Sequence, residues 1–128
     1  MNNLILVFVG GGIGAILRYF LNSNSGNLFL NNYDYEFPWS TFIANMLGSL
    51  IIGFVVGLFD SAILTNENLK IFIIVGILGG FTTFSSFSLE TVNMIQAGYY
   101  MKSIIYIGAS TLIAILFTIL GMKLGHSF

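Results

Sequence analysis

Phe84 and Phe87 stand three residues apart in the string Gly79-Gly80-Phe81-Thr82-Thr83-Phe84-Ser85-Ser86-Phe87-Ser88, so on a helix they share a face. An aromatic ring carries a positive edge. Such edges can face an anion without trapping it. Hydroxyl groups accompany the rings: Thr83, Ser85 and Ser88 in the same string, and Tyr106 with Ser110, four apart and therefore on one helix face. Asn45, one turn past Thr41 and one turn before Ser49, adds two N–H donors. A line of donors with few full charges suits a small, strongly hydrated anion. It can replace water and still release the ion, and conduction needs that balance. The same residues have plainer uses. Phenylalanines pack against lipid or core, and a buried asparagine can simply hold two helices together. The residue types alone leave both uses open.

Two charged side chains flank this set. Arg18 falls near the end of an apolar stretch, where it can snorkel to the interface or draw an anion into a vestibule. Glu90 lies just past the hydroxyl-rich string and is expected beside a pore mouth. Other chemistry finds little support. Gly10-Gly11-Gly12-Ile13-Gly14-Ala15 has the spacing of a dinucleotide fingerprint, but no strand precedes it. His126 is a single histidine, expected to be solvated, and no cysteine offers a thiolate or a disulfide. No catalytic triad can be assembled, so the chain is not expected to be an enzyme. With four basic residues against five acidic ones and no basic run, nucleic-acid binding is excluded too.

These side chains must be carried by membrane helices. Of 128 residues, 56% are hydrophobic and 7% charged, where soluble domains average about 25% charged. So few charges cannot cover a water-facing surface. Four apolar stretches follow, expected as helices over about 4–21, 38–59, 70–97 and 103–123, in one transmembrane domain spanning 1–128. The apolar amino-terminal stretch lacks a basic start and a small-residue cleavage site, so it reads as the first span. A polar connection from about Asn22 to Phe37 carries Asp34 and Glu36. Pro38 and Trp39 open the second span, the proline suiting a first turn and the tryptophan an interface.

The third stretch is too long for one straight helix, about 40 Å against a hydrocarbon core of about 30 Å. Its middle holds two glycines and the hydroxyl cluster, so an interruption is expected over Gly79–Ser88. Carbonyls released at that depth need protein, water or an ion. Small residues also recur at four-residue spacing: Gly10 with Gly14, Gly53 with Gly57, Gly76 with Gly80, Gly121 with Gly125. This pattern lets helix backbones approach closely. Four spans place Lys70 and Lys123 on one side of the membrane and Arg18 and Lys102 on the other, two against two. Orientation follows basic-residue bias, and here there is none. Insertion both ways up, and an antiparallel dimer, would follow naturally.

The strings GGGIGAILRY, STFIANMLGSLIIG and GILGGFTTFSSFSLE, in this order and spacing, resemble the Fluc-type fluoride channels of the CrcB family, and the resemblance covers essentially the whole chain. It implies an all-α membrane protein, four helices with the third broken, forming an antiparallel dual-topology dimer with two pores. It implies passive fluoride export across the cell membrane. It implies a structural sodium ion at the dimer centre on the carbonyls of Gly79 and Thr82 from both subunits. Asn45, Thr83, Phe84, Phe87, Ser88, Tyr106 and Ser110 would line the pore. Arg18 would lie at the vestibule, and Glu90 would be the acid beside the pore. Ala114 departs from the pattern, since many members carry a further hydroxyl there; Thr118 lies one turn on.

Two other functions remain to be weighed. A small dual-topology multidrug exporter has a similar size, but is expected to carry a glutamate in its first helix, and none is present here. A non-transporting membrane subunit would explain the glycines but not the donor line. Self-pairing is expected, with a related chain as the other possible partner.

Overall fold

The computed structural model describes residues 3–24 and 37–128. Asp34, Glu36 and most of the polar connection lie outside the described residues. Helix α1 (Asn3–Asn24) and helix α2 (Trp39–Asp60) are each 22 residues long. The third span, Glu67–Gln96, is composite. It begins with one turn, α3 (Glu67–Lys70), continues as a π-helix over Ile71–Leu78, and returns to a short α4 (Gly79–Phe81). It then breaks and resumes as α5 (Phe84–Gln96). Helix α6 (Tyr100–His126) closes the bundle with 27 residues. Each of the four spans is long and apolar enough to cross a bilayer.

Local chemistry sets the helix ends. Pro38 precedes α2, and its carbonyl accepts the Phe42 N–H at 3.1 Å. The Asn66 side chain caps α3 by accepting the Leu69 N–H at 3.1 Å. Gly98 ends α5 in the left-handed region, with φ of 83°. Its N–H reaches the Ile95 carbonyl at 3.0 Å, and the Tyr99 N–H reaches Met94 at 2.9 Å. That pair of bonds reverses the chain into α6.

The break is narrower than its composition suggests. Gly79 to Phe81 are helical, and so are Phe84 to Ser88. Only Thr82 and Thr83 are extended, with ψ of 155° and 118°. The reason is capping. The Thr83 hydroxyl accepts the Ser86 N–H at 3.2 Å, so the serine-rich string starts a helix instead of forming a loop. The π-helix was not foreseeable from residue type, since Ile71 to Leu78 is an ordinary apolar run.

Packing assigns the glycine stripes to partners. A Cβ on Gly10 or Gly14 would meet the backbone of Phe72, Gly76, Ile77 or Phe81, and one on Gly80 would meet the Gly11 carbonyl. So α1 lies backbone to backbone on the π-helix and α4. A Cβ on Gly53 or Gly57 would meet Thr118, Met122 or Gly125, and one on Gly121 would meet Leu50 or Phe54. So α2 lies equally close on α6. The bundle is two close pairs of spans, joined where the Thr82 methyl seats against Gly48. His126 belongs to the last turn of α6, with its Nε2 3.5 Å from Asp60 Oδ2 at the end of α2.

Candidate functional site

The site is built around the break in the third span. In a continuous helix the Thr83 N–H would close onto the Gly79 carbonyl. Here it donates to Asn45 Oδ1 at 2.9 Å, while Asn45 Nδ2 donates to the Thr83 carbonyl at 3.2 Å. One amide side chain on α2 thus replaces a turn of helix. This satisfies polar backbone that would otherwise be stranded at membrane depth. Thr82 closes the last turn before the break, its N–H at 3.0 Å and its hydroxyl at 2.9 Å from the Leu78 carbonyl.

Two turns further along, on α5, Glu90 ties three helices together. Its Oε1 accepts from the Thr41 hydroxyl of α2 at 2.5 Å, and its Oε2 accepts from the Tyr106 hydroxyl of α6 at 2.7 Å. Thr41 and Tyr106 are fully buried, so Glu90 supplies their hydrogen-bond partner inside the bundle. The Tyr106 ring in turn packs against Phe87, with centroids 5.1 Å apart, and Phe87 lies 5.5 Å from Phe84.

Most of the expected donors are already engaged. Thr83 donates to Ser86 Oγ at 3.1 Å and shares a 3.3 Å contact with Ser85 Oγ. Ser88 donates to the Phe84 carbonyl at 2.9 Å, and Thr118 to the Ala114 carbonyl at 3.0 Å. Thr118 therefore does not extend the hydroxyl line past Ala114. Ser110 differs. It is buried on the same face of α6 as Tyr106, and its Oγ has no partner among the described residues. An unspent donor in a buried position is a place where an incoming anion gains a bond the protein does not supply.

Asn45 and Thr83 are joined by hydrogen bonds, Phe84, Phe87, Tyr106 and Glu90 by ring contacts and a hydrogen bond, and the two sets form one cluster because Thr83 and Phe84 are neighbours in the chain. Ser88 and Ser110 lie one turn from Phe84 and Tyr106. Arg18 does not join them. It is half-buried on α1, one turn past Gly14, and makes no hydrogen bond to the cluster. Gly79 is exposed at the surface of the chain and Thr82 is half-buried. Thr41, Phe37 and Ser86 belong to the cluster without having been singled out as pore residues. For Thr41 the signal was its four-residue spacing from Asn45. For Phe37, at the edge of a polar connection, sequence offered none.

The sequence matches the family described as CrcB-like protein, Camphor Resistance (CrcB), over residues 5–122. The chain belongs to the CrcB family. Curated CrcB relatives align over nearly their full length. One from Magnetococcus marinus is 42% identical over 120 residues, covering 94% of each chain. One from Thermus thermophilus is 40% identical over 125 residues, covering 98% of this chain and 96% of the relative. One from Hydrogenobaculum sp. is 37% identical over 123 residues, covering 96% and 97%. Each of the three is named a fluoride-specific ion channel FluC. The three strings that carried the resemblance lie within the span that matches the CrcB family, and two of them supply residues of the cluster at the break.

Proposed function

We propose that this chain is a fluoride-selective ion channel that exports fluoride passively across the cell membrane. The relatives' names support the ion. The observation that carries the reading in this molecule is the buried Ser110 hydroxyl, without a partner among the described residues, one turn from Tyr106, whose ring packs on Phe87. A donor and ring edges, without a cation, fit a small anion that must shed water and then leave.

The working unit is an antiparallel homodimer with two pores. Phe84, a wall residue, is 79% exposed on the single chain. A path cannot be bounded by a ring lying in lipid, so a second copy is expected to close that side. The even split of basic residues gives each copy no preferred orientation. Gly79 and Thr82 of both copies would hold a sodium ion through their carbonyls. The fit rests on the Thr83 N–H, which turns to Asn45 and leaves the Gly79 carbonyl without its helical bond. The ion's chemistry there would be structural: its charge would neutralise carbonyl dipoles brought together by two copies.

Purified protein in liposomes is the test. Fluoride should leave loaded vesicles and chloride should stay. A well-folded dimer that passes no fluoride rules the reading out. Proton-coupled export of a lipophilic cation would instead favour a multidrug exporter, but α1 contains no acidic residue to couple to protons.

A further inference from the structure

Gly48 stands apart from the other close-packed glycines. Where glycines bring α1 onto the third span and α2 onto α6, an added Cβ would first meet backbone. At Gly48, buried on α2, it would overlap the Thr82 methyl. The next atoms, Phe81 Cδ1 and Thr82 Cβ, lie 3.7 Å away in ordinary contact. Among the described residues, one methyl group therefore occupies the place of the missing side chain. Gly48 follows Asn45 by three residues, so both meet the break from one face of α2. Asn45 grips the peptide of Thr83, and Gly48 receives the side chain of Thr82.

The Thr82 carbonyl belongs to the peptide whose N–H is that of Thr83. In a trans peptide the two point in opposite directions. Asn45 Oδ1 takes the N–H at 2.9 Å, so the carbonyl faces away from Asn45. Among the described residues no donor meets it. The other end of this peptide is the Thr82 Cα, and its frame is held at three points. The Thr82 N–H at 3.0 Å and hydroxyl at 2.9 Å both donate to the Leu78 carbonyl, and the methyl sits against Gly48. Hydroxyl and methyl share one Cβ, so neither can rotate without displacing the other. We propose that Gly48 is a positioning residue: by seating the Thr82 methyl it sets the direction in which the Thr82 carbonyl is presented. The proposal rests on the reading of Gly79 and Thr82 as a sodium seat. Gly48 would touch no ion and would act only through Thr82.

The test compares the unaltered chain with Gly48→Ala, Thr82→Ser and the double variant. Thr82→Ser keeps the hydroxyl and deletes the methyl. Gly48→Ala adds a methyl where Thr82 already has one. In the double variant one methyl replaces the other. Each protein is purified throughout at a set sodium concentration, with a large organic cation making up the rest, and its melting temperature is followed against sodium. Each single substitution should raise the sodium needed for half of the stabilisation by about tenfold or more, as when a group behind a metal ligand is lost. The double variant should return to within about threefold of the unaltered chain, because the two sites are coupled through one contact. A seat that only packed would lower the melting temperature equally at every sodium concentration.

An unchanged sodium requirement in a folded single variant overturns the proposal, and so do losses that simply add in the double variant. If Gly48→Ala yields no folded protein, Thr82→Ser and the double variant decide the matter, since serine removes an atom and adds none. If the unaltered chain is itself indifferent to sodium, the sodium seat has failed and the proposal falls with it. That outcome is distinct from a sodium-stabilised protein whose sodium requirement ignores positions 48 and 82.

Discussion

Asn45 pairs with the peptide of Thr83 through both ends of its amide, Nδ2 to the carbonyl at 3.2 Å and Oδ1 from the N–H at 2.9 Å. The asparagine offered as a pore donor is therefore also the clamp of the break. Its second N–H is what remains for an ion. In one side chain a structural use accompanies the proposed conducting one.

Asn45→Asp keeps the acceptor for the Thr83 N–H and removes the donor to its carbonyl. Asn45→Ala removes both. Each lost bond leaves a buried backbone group short of a partner, at about 1–3 kcal/mol. Both variants should lose thermal stability, the alanine through two unmet backbone groups and the aspartate through a carboxylate oxygen set against the Thr83 carbonyl at membrane depth. If Asn45 only held helices together, flux per folded dimer would be unchanged in whatever protein survives.

Glu90→Ala should be among the more damaging substitutions in the bundle. It strands the hydroxyls of Thr41 and Tyr106 in fully buried positions, two groups at about 1–3 kcal/mol each. Replacing all three residues with apolar ones of similar size (Glu90→Met, Thr41→Val, Tyr106→Phe) should recover much of the stability without recovering flux. Unfolding followed in detergent, paired with fluoride efflux, separates these effects.

Ser110→Ala should behave in the opposite way. The Oγ has no partner among the described residues to lose, so the melting temperature should hold or rise slightly. Fluoride flux should drop several-fold, because a passing anion loses its unspent donor. A stable variant with unaltered flux would place the path elsewhere on α6.

Gly14→Ala puts a methyl group onto the Ile77 carbonyl and the Phe81 N, and Gly121→Ala puts one onto the Leu50 carbonyl. Neither backbone can move aside cheaply, so yield of folded protein should collapse. Gly12→Ala and Gly108→Ala meet nothing within 4 Å and should be tolerated. Expression and size-exclusion profiles of the four variants check this contrast.

If two copies pair around sodium as proposed, replacing it with a large organic cation throughout purification should lower the melting temperature or dissociate the pair. A ligand bound to the assembled state stabilises it in proportion to the logarithm of its concentration. Indifference to sodium over a hundredfold range would argue against the ion.

Hydropathy and length determined that four helices cross the membrane, because only satisfied helical backbone survives in hydrocarbon. The strings around Asn45 and Phe84 determined the family, and the glycine spacing showed which faces allow close approach. Sequence could not decide which stripe meets which. Small-residue faces are interchangeable until tertiary packing sets α1 on the third span and α2 on α6. Nor could it decide which donors are spent. A hydroxyl reads alike in sequence whether it bonds its own helix, as in Ser88 and Thr118, or none of the described residues, as in Ser110. The break was visible as composition, but its width came from Thr83 acting as a cap and Asn45 standing in for the missing turn. Those contacts join residues 38 positions apart, and only the folded chain brings them together.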